Sequence, residues 1–81
     1  MKYPTIKSVH IIDDNLLIVE FSNRESRKYD VTPLLNKKMF SELSNPAFFK
    51  NVKIDQGGYA LIWNEDIDIS EYEIWKNGTP I

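Results

Sequence analysis

Leu16-Leu17-Ile18-Val19-Glu20-Phe21-Ser22 is the stretch that decides the fold. Leu17, Val19 and Phe21 fall on one side of an extended chain, and Leu16, Ile18, Glu20 and Ser22 on the other. That period of two marks a β-strand. Upstream, Ile6 to Asp13 carries Val9 and Ile11 at alternate positions, and Asp14-Asn15 is a two-residue reversal between the runs, since Asx residues tolerate positive φ. Downstream, Asn23-Arg24-Glu25 turns the chain into a third strand, Ser26 to Val31, with Tyr29 and Val31 expected to face inward. Strands joined by tight turns read as an antiparallel meander of three strands.

Beyond the meander the period changes. Thr32-Pro33 and Asn45-Pro46 each place a capping residue before a proline, whose missing N–H costs nothing at the start of a helix. Leu34, Leu35, Phe40, Leu43, Phe48 and Phe49 then form an apolar lid of short helical turns. Strands return at Asn51 to Asp55 and Tyr59 to Trp63, with Gln56-Gly57-Gly58 as the turn and positive φ expected at both glycines. Trp63 is expected to share an inward face with Tyr59 and Leu61. Ser70 with Glu73 is a capping box that would satisfy two helical N–H groups, and Gly78 and Pro80 end that helix. The predicted class is α+β: a three-stranded meander, a second hairpin, short helices and a C-terminal helix.

The 81 residues allow one domain, 1–81, and 42% hydrophobic residues supply one core. There is no cysteine, which fits a reducing compartment. The start, Met1-Lys2-Tyr3-Pro4, lacks the apolar run of a secretory signal, and the longest apolar stretches, Leu16 to Val19 and Tyr59 to Trp63, fall far short of the ~20 residues of a membrane span. A cytoplasmic protein is expected, with no membrane association. The net charge is −2. It is split: seven Lys/Arg against five Asp/Glu through Lys38, then three Lys against seven Asp/Glu. A dedicated nucleic-acid binder has the opposite balance.

The polar residues assemble no recognisable chemistry. His10 and Ser8 share a strand face, with no glycine elbow or oxyanion loop nearby to make a nucleophile. One histidine and no cysteine rule out a conventional zinc site. Glu65, Asp66, Asp68, Glu71 and Glu73 miss the calcium-loop template, which needs a glycine where Glu71 stands and a glutamate where Asn77 stands. They suit local structure instead, Asp66 or Asp68 through Asx turns and the glutamates at a helix start. Together they also offer an acidic surface to a basic partner. Arg24, Arg27, Lys28, Lys37 and Lys38 are expected to point to water as a solvated basic face. Leu16, Ile18 and Ile12 form a second apolar strand face, which is a partner or homo-oligomer interface if no helix covers it. Trp75 is a further contact candidate, with Ile74 as its inward neighbour.

The ordered landmarks resemble a known family, the bacterial proteins grouped as domain of unknown function 2442. They are Leu17-x-Val19-x-Phe21, Tyr29-Asp30-Val31-x-Pro33-Leu34-Leu35, Phe40-x-x-Leu43-x-x-Pro46-x-x-Phe49, and Ile62-Trp63-Asn64 with Ile67-Asp68-Ile69 leading to Ile74-Trp75. The chain departs from the pattern twice. Its 23–25 turn lacks a glycine, so that Asn23 is expected to take the positive φ, and Trp75 replaces a more usual tyrosine. The resemblance implies an α+β fold with no established activity, and a gene arrangement beside another small protein that looks like a toxin–antitoxin pair. Longer relatives append a helix-turn-helix region; none lies in these residues, so direct DNA binding is not expected.

The reading is therefore a non-enzymatic interaction domain, antitoxin-like, with no catalytic residues, cofactor or metal. Its contact residues would be Glu65, Asp66, Asp68, Trp75, Leu16 and Ile18, set against a basic protein partner. The alternatives are a nucleic-acid-associated regulatory domain using Arg24, Arg27 and Lys28, and, more remotely, a metal-binding or enzymatic protein.

Overall fold

The computed structural model describes residues 3–81. Its first sheet is the expected meander, β1 (Ile6–Asp13), β2 (Leu16–Phe21) and β3 (Ser26–Asp30), with each strand antiparallel to the next. Leu17, Val19 and Phe21 are fully buried, and Tyr29 and Val31 join them. The alternation thus sorts the two faces as the sequence indicates. At the 23–25 turn the positive φ falls on Arg24 (73°) and not on Asn23. Asn23 acts through its side chain: Oδ1 accepts from the Glu25 N–H at 3.1 Å, an Asx turn that leaves the next residue to reverse the chain.

Two 3-10 helices, Thr32–Asn36 and Lys38–Ser44, and a short α1 (Pro46–Phe49) cover one side of the core. Leu43 and Phe49 are fully buried, with Leu34, Leu35, Phe40 and Phe48 packed around them. Asn45 caps α1 as expected, accepting from Ala47 N–H at 3.0 Å. Thr32 does not cap the first 3-10 helix. Thr32 is instead the first residue of that helix: its N–H donates to Asp30 Oδ1 at 2.8 Å, its hydroxyl accepts from Asn15 at 2.6 Å, and the N-cap position falls to Val31, which offers no side-chain bond.

The second hairpin, β4 (Lys53–Ile54) and β5 (Ala60–Ile62), is extended by β6 (Asp68–Ser70) into a three-stranded antiparallel sheet. Only Gly58 takes a positive φ (75°); Gly57 does not. The Gly58 carbonyl accepts from the Ile6 N–H at 2.7 Å and ties this turn to β1. Tyr59 is 59% exposed instead of facing inward with Leu61 and Trp63, and its ring lies over Gly57 of the turn. Trp63 donates from its indole N–H to the Phe49 carbonyl at 2.9 Å and stacks on the Phe49 ring. The 64–67 loop is held by Asn64, not by Asp66 or Asp68: its Oδ1 accepts from the N–H groups of Asp66 and Ile67, both at 2.8 Å.

Ser70 then starts α2 (Glu71–Asn77), accepting from the Glu73 N–H at 3.2 Å. The reciprocal half of the capping box is not made, since the Glu73 carboxylate turns to other donors. After Gly78 the chain returns as β7 (Thr79–Pro80), which pairs with β3 through Arg27 and Lys28 and makes the first sheet four-stranded, β1-β2-β3-β7. One buried cluster, running from Ile6 through Leu17, Leu43 and Leu61 to Ile74, joins both sheets and α2.

Candidate partner-binding clefts

β3 and α2 meet along a seam, and two inward residues of β3 define it. Arg27 shares the parity of Tyr29 and is only 8% exposed. Its guanidinium lies 3.8 Å from the Trp75 ring centroid, Nε donates to the Trp75 carbonyl at 3.3 Å, and Nη1 donates to the Ser26 carbonyl at 3.2 Å. Trp75 in turn meets Phe21 edge to face at 5.2 Å. The expectation that Arg27 points to water is corrected: cation–π stacking and backbone acceptors make the buried position favourable for this planar cation. Trp75 is held between Arg27 and Phe21, inside the packing of the seam.

Two residues along, Tyr29 is buried up to its hydroxyl, which donates to Glu73 Oε2 at 2.8 Å. Glu73 Oε1 accepts from Asn77 Nδ2 at 2.9 Å, an i to i+4 contact on α2. Burial, and then the adjoining Glu73 carboxylate, push the Tyr29 phenol well above its ordinary value, so it remains a proton donor. Glu73 is thus fixed by two neutral donors.

That carboxylate stands between two clefts. The first, of about 580 Å³, is lined by Leu16, Lys28, Pro33, Leu34, Glu73 and Asn77 among others. The second, of about 350 Å³, is lined by Leu34, Lys37, Phe40, Asp68, Ser70 and Glu73 among others. Leu34 and Glu73 belong to both, so the clefts adjoin. Two of the six residues singled out from sequence, Leu16 and Asp68, therefore open onto one continuous surface. Ile18 lies apart on the outer sheet face, between His10 and Lys28 on the neighbouring strands. Glu65 and Asp66 are exposed on the turn before β6 and line neither cleft. Leu34 and Glu73 escaped the sequence reading. Each had a sufficient local explanation, one as part of the lid and the other as a helix-start charge, and no sequence signal links Glu73 to Tyr29.

Ser8 donates to Glu20 Oε1 at 3.3 Å, while His10 is exposed on the same face. Among the described residues no group of three or more His, Asp and Glu side chains converges as a metal-ion set. No helix among them is long and apolar enough to cross a membrane.

The architecture is a small α+β domain of two antiparallel sheets, with short helices framing paired clefts at the β3–α2 seam. Residues 6–80 match the family described as Protein of unknown function (DUF2442), and the chain belongs to that family. No curated protein and no solved structure matches it.

Proposed function

We propose that this chain is a non-enzymatic, cytoplasmic protein-interaction domain, which binds a basic partner across the clefts flanking Leu34 and Glu73. The observation that carries this reading is the continuity of the two clefts, which brings the apolar Leu16 and the acidic Asp68 onto one surface. Charge adds a second support. Glu65, Asp66 and Asp68 are exposed, and none forms an ion pair among the described residues, where the one pair is Arg27 with Glu25 at 3.4 Å. Unpaired surface carboxylates steer a cationic partner towards the site and speed encounter. An antitoxin-like role in a two-protein pair completes the reading; its support is the family resemblance and the gene arrangement that resemblance implies. The nucleic-acid alternative loses ground, because Arg27 is taken up by Trp75 and leaves Arg24 and Lys28 as the basic edge.

The test is co-expression with the product of the adjacent open reading frame, followed by affinity measurement on the purified pair. Changing Glu65, Asp66 and Asp68 together to lysine is expected to weaken the complex at least about tenfold, a loss of about 1.4 kcal/mol, while the melting temperature holds. An unchanged affinity, or no complex at all, overturns the proposal.

A further inference from the structure

β6 is an outer strand of its sheet, whose order is β4-β5-β6. The groups it leaves open follow from the bonds at its ends. Trp63 N–H donates to the Ile67 carbonyl at 2.9 Å, and Glu71 N–H donates to the Tyr59 carbonyl at 2.9 Å. With Leu61 opposite Ile69, the alternation of an antiparallel ladder turns residues 67, 69 and 71 towards β5 and residues 68 and 70 away from it. Ser70 is the N-cap of α2, so its carbonyl serves the first helical turn. Among the described residues, what remains open is the N–H and C=O of Asp68 and the N–H of Ser70.

The second cleft lies along this open edge. All three β6 residues, Asp68, Ile69 and Ser70, line it. A groove over one face of a strand meets every other residue, whereas a groove beside its edge meets them all. Leu34 and Phe40 form the apolar side of the cleft, and its charges are the Asp68 and Glu73 carboxylates against the Lys37 ammonium. A second copy of this chain pairing β6 to β6 antiparallel over all three residues would set Asp68 opposite Ser70 and leave the two Asp68 carboxylates as diagonal neighbours on one face, a like-charge contact that disfavours self-pairing.

We infer that β6 accepts an added strand: an extended segment of a basic partner protein pairs with Asp68–Ser70 through main-chain hydrogen bonds. Alternate side chains of that segment place a cation at Asp68 and Glu73 and an apolar group on Leu34 and Phe40. This rests on the partner-binding reading and narrows it to one edge and one binding mode.

The probe is the synthetic peptide acetyl-Val-Lys-Val-Arg-Val-amide, titrated into the isotope-labelled full chain. At saturation the amide hydrogens of Asp68 and Ser70 are expected to exchange at least about tenfold more slowly, as newly bonded groups do. Asp68→Asn removes charge and keeps the donor, and is expected to weaken binding severalfold. Asp68→Pro removes the donor as well and is expected to cost roughly a further tenfold, while an edge position with an outward N–H tolerates proline. Equal losses in the two variants, or unprotected amides in the unaltered chain, overturn strand addition. Equal binding of acetyl-Val-Glu-Val-Glu-Val-amide overturns the basic segment. If the proline variant does not fold, amide exchange in the unaltered chain decides. None of these results touches the charge-reversal test on the natural complex, so failure here and failure of the wider reading are separable.

Discussion

The Arg27 guanidinium lies over the Trp75 ring, 3.8 Å from its centre, in the seam where the C-terminal helix meets the first sheet. This contact joins residues 48 positions apart and also delivers an N–H to the Trp75 carbonyl. A buried cation held by a ring and by carbonyls depends on planarity as well as charge. Arg27→Lys keeps the charge and loses the stacked fork, and is expected to destabilise the fold by roughly 1–2 kcal/mol. Arg27→Ala removes the packing too and should cost roughly 2–3 kcal/mol. Urea unfolding measures both, and equal stability of the lysine variant and the parent rules out the stacking argument.

A second prediction concerns Tyr29 and alkaline pH. In the unfolded chain its phenol ionises near the ordinary value of 10.0, whereas in the fold it holds its proton to higher pH. The folded state therefore retains a proton that the unfolded state releases. This contribution to stability is whole below pH 10.0 and is lost as the pH climbs above it. Tyr29→Phe should cost about 0.5–1.5 kcal/mol at neutral pH through the lost bond to Glu73, and should flatten the alkaline decline. Parallel stability curves for the two proteins between about pH 9 and about pH 11 would show that Tyr29 does not carry it.

Much of this was legible in the sequence, and what was hidden has a common cause. The meander could be read because β1 to β3 are long enough to display a period of two. β6 and β7 have three and two residues, too few for any period, and they exist because neighbouring backbones offer partners. Leu16 and Asp68 were recognisable as spare apolar and acidic groups. The Tyr29–Glu73 bond that anchors the clefts spans 44 positions and has no local signature. Arg27 is a different case. Its parity with Tyr29 placed it inward all along, but charge argued for water, and stacking on Trp75 reversed that.

The two glycines of the second hairpin should respond very unequally to the same change. At Gly58 a Cβ would sit 2.7 Å from the Ile6 carbonyl oxygen, on a backbone already at φ 75°. Neither the left-handed conformation nor the backbone contact can relax without loosening the bond from Ile6 N–H to Gly58 O. Gly58→Ala is expected to cost roughly 2–3 kcal/mol. At Gly57 the nearest atoms belong to the Tyr59 ring, an exposed side chain free to swing aside, and φ is not positive. Gly57→Ala should stay within about 0.5 kcal/mol of the parent. Thermal melts of the pair check the contrast, and similar losses at both positions would refute it.

Ser70 and Glu73 separate helix capping from cleft chemistry. Ser70 Oγ accepts the Glu73 N–H, while the Glu73 carboxylate faces Tyr29 and Asn77 and makes no return bond to the cap. Ser70→Ala should therefore lower stability by about 1 kcal/mol, the ordinary value of an N-cap, and shorten α2 at its start. Glu73→Gln retains an oxygen to accept from Tyr29 while removing the charge that both clefts share. It should leave the melting temperature within a few degrees of the parent and weaken a cationic partner severalfold. The opposite pattern, a stable Ser70→Ala and an unfolded Glu73→Gln, would mean that Glu73 holds the seam together as structure and that the clefts lose their claim to a separate role.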